Sequence, residues 1–121
     1  MADALKLIDR ALKKAEADYK KPICVSICDQ YGFLVAFFRQ EGAPVRSIEI
    51  SQRKAFTAVR MGTTTAAFLD RIRKQNIEAG WFGDGLCALP GGAVLKNGWA
   101  SGISGLAADQ DQAIADDAAA M

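Results

Sequence analysis

The order of hydrophobic periodicities along the chain predicts an α+β fold, with helices packed on one antiparallel sheet of about five strands. Three observations carry this prediction. A stretch with helical spacing opens the chain, a period-two hairpin follows it, and a late glycine-rich segment carries strand and turn signals before a last helix. Strands grouped in this way, instead of alternating with helices, disfavour a parallel doubly wound sheet. With 121 residues, 50% of them hydrophobic, the chain has the size of one domain, and residues 1–121 are read as a single unit.

Each element has a local reason. Asp3 is placed to cap a first helix whose Leu5, Ile8, Leu12, Ala15 and Tyr19 recur on one face, and Pro22 stops it. From Ile23 the period becomes two, with Ile23, Val25 and Ile27 on one face and Cys24, Ser26 and Cys28 on the other. The run Asp29-Gln30-Tyr31-Gly32 is turn chemistry, so residues 33–39 should return antiparallel. A helix is expected over 47–61 with Gly62 as its stop, then a shorter one capped within Thr63–Thr65 and running through Ile72.

Eight of the eleven glycines fall between Gly80 and Gly105, where the chain turns to strands and tight turns. Residues 86–89 read as a short strand, Pro90-Gly91-Gly92 as a turn, and 94–96 with Asn97-Gly98 and 99–104 as a hairpin. Asp109 with Gln112 suits the start of a final Ala-rich helix with an acidic exposed face. If the helices lie on one face of the sheet, the side bearing Cys24, Ser26 and Cys28 is left to solvent or to another subunit.

Composition excludes several chemistries. The chain has no histidine, so it can form neither a Ser-His-Asp nor a Cys-His relay, nor a His-bearing zinc site, and it offers no proximal imidazole to haem iron. Three cysteines do not suggest a disulfide framework and fit a reducing compartment. Cys24 and Cys28 stand roughly 13 Å apart along a strand, too far to chelate one metal, and read as small packing residues. The formal net charge is +1, with basic residues concentrated over 46–74 and acidic ones over 109–117. A basic stretch without interleaved aromatics or a binding motif does not point to nucleic acid. No apolar run is long enough to span a membrane, and residues 1–14 lack a secretory signal, so a cytoplasmic location is expected.

Five pieces, in this order, carry a resemblance: Val25-Ser26-Ile27-Cys28-Asp29 with Gly32; Phe38-Arg39-Gln40-Glu41-Gly42-Ala43; Lys54-Ala55-Phe56-Thr57-Ala58; Leu89-Pro90-Gly91-Gly92; and Gly102-Ile103-Ser104-Gly105 with Gln110-Asp111. Together they resemble the GlcG/HbpS-like family over nearly the whole chain. That family includes the C-terminal domain of propanediol-utilisation corrinoid adenosyltransferases. The resemblance implies a profilin-like fold with a five-stranded antiparallel sheet, commonly assembled into homo-oligomers. It further implies haem binding or degradation in some members and a place in catabolic operons in others. Haem is therefore a cofactor that the resemblance suggests, but no residue here inherits a histidine ligand; Cys, Met, Tyr or Lys could ligate iron instead, and nothing in the sequence favours one of them.

Arg39 and Lys54 lie within the resembling motifs, and each can hold a carboxylate or phosphate; the plain alternative is a salt bridge or a solvated surface. Gly91, Gly92 and Ser104 could present backbone N–H groups and a hydroxyl to an anion, although glycines at strand ends mostly serve turns and packing. Asp111 suits the first turn of its helix and Asp29 its turn, with a catalytic use as the alternative for either. Cys87 could act as a nucleophile only if a Lys, Arg or helix end lowered its pKa. Trp99, like Trp81 and Phe82, would line a pocket or subunit interface, or simply pack in the core. The leading reading is an oligomeric module binding a small molecule, a tetrapyrrole or small carboxylate, with Arg39 and Lys54 as anion contacts. The first alternative is an enzyme acting on a small carboxylate-bearing catabolic intermediate, Lys54 or a carboxylate moving the proton and Arg39 orienting the substrate. The second is an accessory or structural subunit.

Overall fold

The computed structural model describes residues 2–121. They form α1 (Ala2–Asp18), β1 (Cys24–Cys28), β2 (Leu34–Arg39), α2 (Arg46–Met61), α3 (Thr65–Gln75), a 3-10 turn (Ala79–Phe82), β3 (Gly92–Val94), β4 (Ala100–Ser104) and α4 (Ala108–Ala119). The class is α+β, as the periodicities indicate. Every strand pair is antiparallel, in the order β2-β1-β4-β3, so the sheet has four strands instead of about five. The missing strand is residues 86–89. There the Cys87 N–H donates to Thr57 Oγ1 of α2 at 2.8 Å, and a side chain takes the donor that a sheet ladder would need.

Turn chemistry fixes both hairpin turns where the sequence places them, although β3 runs over Gly92–Val94 instead of the expected 94–96 and takes Gly92 from the expected Pro90-Gly91-Gly92 turn. Asp29 Oδ1 accepts from the N–H groups of Tyr31 and Phe33 at 2.9 and 3.0 Å, closing the β1–β2 turn. Asn97 Oδ1 accepts from Trp99 N–H at 3.0 Å inside the β3–β4 loop. Thr64 caps α3 by accepting from Ala67 N–H at 3.1 Å. At the remaining helix starts the expectation shifts by a residue or two. Asp3 sits in the first turn of α1, where the helix dipole favours it, not at a cap. Helix α4 begins with Gln110 Oε1 accepting from Ala107 N–H at 3.3 Å, while Gln112 turns inward.

The sheet is covered on both faces. On one, Val25, Ile27, Ala93 and Ile103 pack under α1 and α4 through Ala4, Leu7, Ile8, Ala11, Ile114 and Ala115. The stripe of α1 is rotated from the one read in sequence, and Leu5 is left 57% exposed. On the other face lies α2, whose buried Ser47, Ser51, Ala55 and Ala58 recur at helical spacing. These small residues let the helix backbone approach the strands, and Gly102 completes the fit: a Cβ there would stand 1.9 Å from Ser51 O. Cys24, Ser26 and Cys28 are consequently buried beneath α2, with Ser26 Oγ and Ser51 Oγ 2.7 Å apart. The expectation that this side faces solvent or a subunit is corrected by α2, which seals it. Among the described residues no helix is long and apolar enough to cross a membrane.

Candidate functional site

Lys54 lies in the middle of α2, on the face turned to the sheet, and is 2% exposed. A buried ammonium must find partners, and Nζ donates to Ile103 O at 2.7 Å and to Asp111 Oδ2 at 3.0 Å. Asp111 stands in the first turn of α4, and its other oxygen accepts from Leu106 N–H at 3.1 Å. Burial pushes the Asp111 carboxyl above its ordinary pKa, against the opposing pull of the Lys54 charge and hydrogen bond and of backbone N–H groups. Because α2 and α4 cover opposite faces, this ion pair ties the two helical layers together past the end of the β3–β4 ladder.

Gly91 and Gly92 belong to the same cluster. At Gly91 φ is +134°, and a Cβ would stand 2.5 Å from Ile103 O and 2.7 Å from Lys54 Nζ. The Gly91 N–H donates to Gln112 Oε1 at 2.7 Å, the Gly92 N–H donates to Thr65 Oγ1 at 2.8 Å, and Gln112 Nε2 donates to Gly92 O at 3.1 Å. Backbone donors considered for an anion are therefore occupied by side chains of α3 and α4. Ser104 Oγ donates to Ser47 Oγ at 3.1 Å. Beside this network is a cleft of about 140 Å³ bordered by Arg46, Ser47, Lys54, Ser104 and Asp111. That is below the roughly 300 Å³ at which small-molecule sites begin.

The structure does not bring Arg39 to Lys54. Arg39, at the end of edge strand β2, donates from Nη2 to Ala43 O at 3.0 Å and does not line the small cleft. Asp29 is spent on its turn. Cys87 is half-buried against Thr57. Trp99 Nε1 donates to Gln30 Oε1 at 3.1 Å, and its ring borders a cleft of about 340 Å³ between the ends of α1 and α4 and the β3–β4 loop.

A third cleft, of about 360 Å³, lies where the β1–β2 turn meets α2, and the sequence reading did not find it. Its apolar wall is Phe33, Leu34, Ala55 and Phe56, with Arg53, Glu49 and Gln52 on the α2 rim. Phe33 and Leu34 are 72% and 52% exposed, an apolar surface beside a concave one. The Arg60 guanidinium lies 4.8 Å from the centroid of Phe56, while Arg53, one turn before that ring, pairs with Glu49 on the rim. The available signal was the Arg53, Phe56, Arg60 spacing of one helix face, together with apolar residues directly after a tight turn. Cys28 lines the floor, its thiol pushed up to about 11 by burial, with the nearby Asp29 charge adding to the rise. Among the described residues no group of three or more acidic or cysteine side chains is gathered to hold a metal ion.

Fold and clefts together define a small α+β protein with a polar lock inside and an apolar cleft outside that carries an Arg53–Glu49 pair on its rim. The chain belongs to the HbpS-like family of haem-degrading proteins, whose profile matches residues 1–120. Among solved structures it is similar to PduOC in a haem complex, at 29% identity and TM-score 0.87, covering 99% of this chain and 91% of that one. It is also similar to a double mutant of Streptomyces reticuli HbpS, at 27% identity and TM-score 0.87, covering 98% and 83%. The Klebsiella pneumoniae protein ORFY shares the fold at 23% identity and TM-score 0.86, covering 98% and 86%. A search of curated proteins finds no match.

Proposed function

We propose that this chain is a small-molecule-binding protein whose ligand is flat, largely apolar and anionic, of the tetrapyrrole class, held in the cleft between the β1–β2 turn and α2. The single observation carrying this reading is that cleft of about 360 Å³, walled by Phe33, Leu34 and Phe56 and rimmed by Arg53. It falls within the size range of ligand sites, and its open side suits a disc lying against the aromatic wall. A tetrapyrrole has the matching chemistry: an apolar macrocycle and carboxylates on its rim, for which guanidinium groups are good partners. The haem complex of one structural relative, PduOC, points to the same ligand class.

The group fits this chain by its body and not by its metal. No imidazole exists, and Cys28, the thiol nearest the cleft, is 3% exposed and held protonated. The enzymatic alternative is weaker on geometry, because Lys54 and Asp111 satisfy each other in a cleft too small for a substrate of ordinary size. A homo-oligomer belongs to the reading, since Tyr31 and Phe38 leave apolar surface on the edge hairpin, outside the cleft wall, that a second copy would cover.

The test is a hemin titration followed at the Soret band, with light scattering on the same sample. Saturable one-site binding by an assembly larger than the 12.9 kDa chain is expected. Arg53→Glu and Phe33→Ser should each weaken binding about tenfold, while Arg39→Ala leaves it unchanged. An unsaturable response, or full affinity in both cleft variants, would sink the proposal.

A further inference from the structure

The side chains lining the cleft include one thiol, Cys28, and one carboxylate, Glu49. Cys28 is buried against α2, beneath the aromatic wall. Glu49 stands on the rim in an exposed surface pair with Arg53, whose Nε donates to its Oε1 at 3.0 Å, so the Glu49→Gln variant is needed to test it as a ligand. Lys54 is bound to Asp111 inside the fold. Cys24 lies fully buried on β1, and Cys87 does not line the cleft. The recognition elements are peripheral: the rings of Phe33 and Phe56, the Leu34 side chain, and the Arg53 guanidinium, whose exposed pair with Glu49 a ligand carboxylate would replace, while Arg60 lies over Phe56 outside the lining. Arg60 stands two helical turns beyond Arg53, about 10 Å along the axis, so a ligand that extends past the cleft lining can set one carboxylate against each.

Resting on the cleft assignment above, we infer that this chain recognises a tetrapyrrole by its rim and face, and that affinity is independent of the central metal. The consequence is a broader ligand class than haem: metal-free and metallated macrocycles bearing carboxylates compete for one site. Binding energy on this account comes from apolar area and two charge-assisted contacts, neither of which involves the metal.

The experiment compares hemin with metal-free protoporphyrin IX on the full-length chain, by Soret absorbance for the first and porphyrin fluorescence for the second. Dissociation constants within about threefold of each other are expected, with mutual displacement and the same tenfold loss in Arg53→Glu. The hemin Soret maximum should be unmoved in Glu49→Gln and in Cys28→Ala, since neither residue ligates iron. If hemin binds and protoporphyrin IX does not, or if either variant shifts the hemin spectrum, metal independence is wrong while the cleft assignment stands. If neither compound binds saturably, the cleft assignment fails and takes this inference with it.

Discussion

At the scale of single residues, burial decides which groups are chemically available. The Cys28 thiol illustrates this, because its ordinary value of 9.0 is raised to about 11 by burial under α2, with the Asp29 charge adding to it. A folded-state value above the unfolded one means that the native state holds its proton more tightly. The stability this confers is present in full below pH 9.0 and is lost as pH rises through about 11. The loss amounts to about 2–3 kcal/mol across that window. Urea unfolding at pH 8 and pH 10.5 should show it, and Cys28→Ala should flatten the difference. An alkaline slope unchanged in the variant would assign it to other groups. The same burial makes Cys28 slow to alkylate at neutral pH.

Between elements, the decisive contact is α2 on β4, and it depends on absent side chains. Adding a methyl at Gly102 places a Cβ 1.9 Å from Ser51 O and 2.7 Å from Ala55 N, atoms of a helix backbone that cannot rotate away. Gly102→Ala should therefore cost about 3 kcal/mol or more, read as a lowered urea midpoint. Gly98→Ala is the control: nothing lies within 4 Å, only φ of +87° is strained, and about 1 kcal/mol is expected. Comparable losses in the two variants would show that α2 is not seated as described. This contact also explains what sequence could and could not give. The hairpin β1–β2, the α2 stop at Gly62 and the Asn97 turn were legible because local chemistry sets them. The covering of the Cys24, Ser26 and Cys28 face was not, since small residues on α2 and glycine on β4 are neutral in a hydrophobicity pattern and acquire meaning only when paired across 50 residues of chain.

For the whole molecule, the residues singled out from sequence divide by depth. Lys54, Gly91, Gly92, Ser104 and Asp111 do converge, but as an internal lock whose donors and acceptors face one another. The open cleft lies elsewhere, on Arg53 and Phe56 of α2 and the β1–β2 turn, a pairing that the helix spacing alone does not reveal. Long-range pairing separates the two cases, and a single sequence does not display it. The lock predicts a specific energetic pattern. Removing one partner of a buried ion pair leaves the other charge stranded, so Lys54→Met should cost about 3–5 kcal/mol and Asp111→Leu a similar amount. Replacing both removes the stranded charge, and the double variant should recover at least half of the summed loss. Equilibrium urea unfolding of the four proteins measures the coupling, with unchanged slopes showing that the native state stays compact. Simple additivity of the two losses would mean that the pair does not act as a unit. Strong coupling would identify it as the tie that makes α2, the sheet and α4 unfold together, because these two side chains reach past the strand ends to join layers that the sheet otherwise keeps apart.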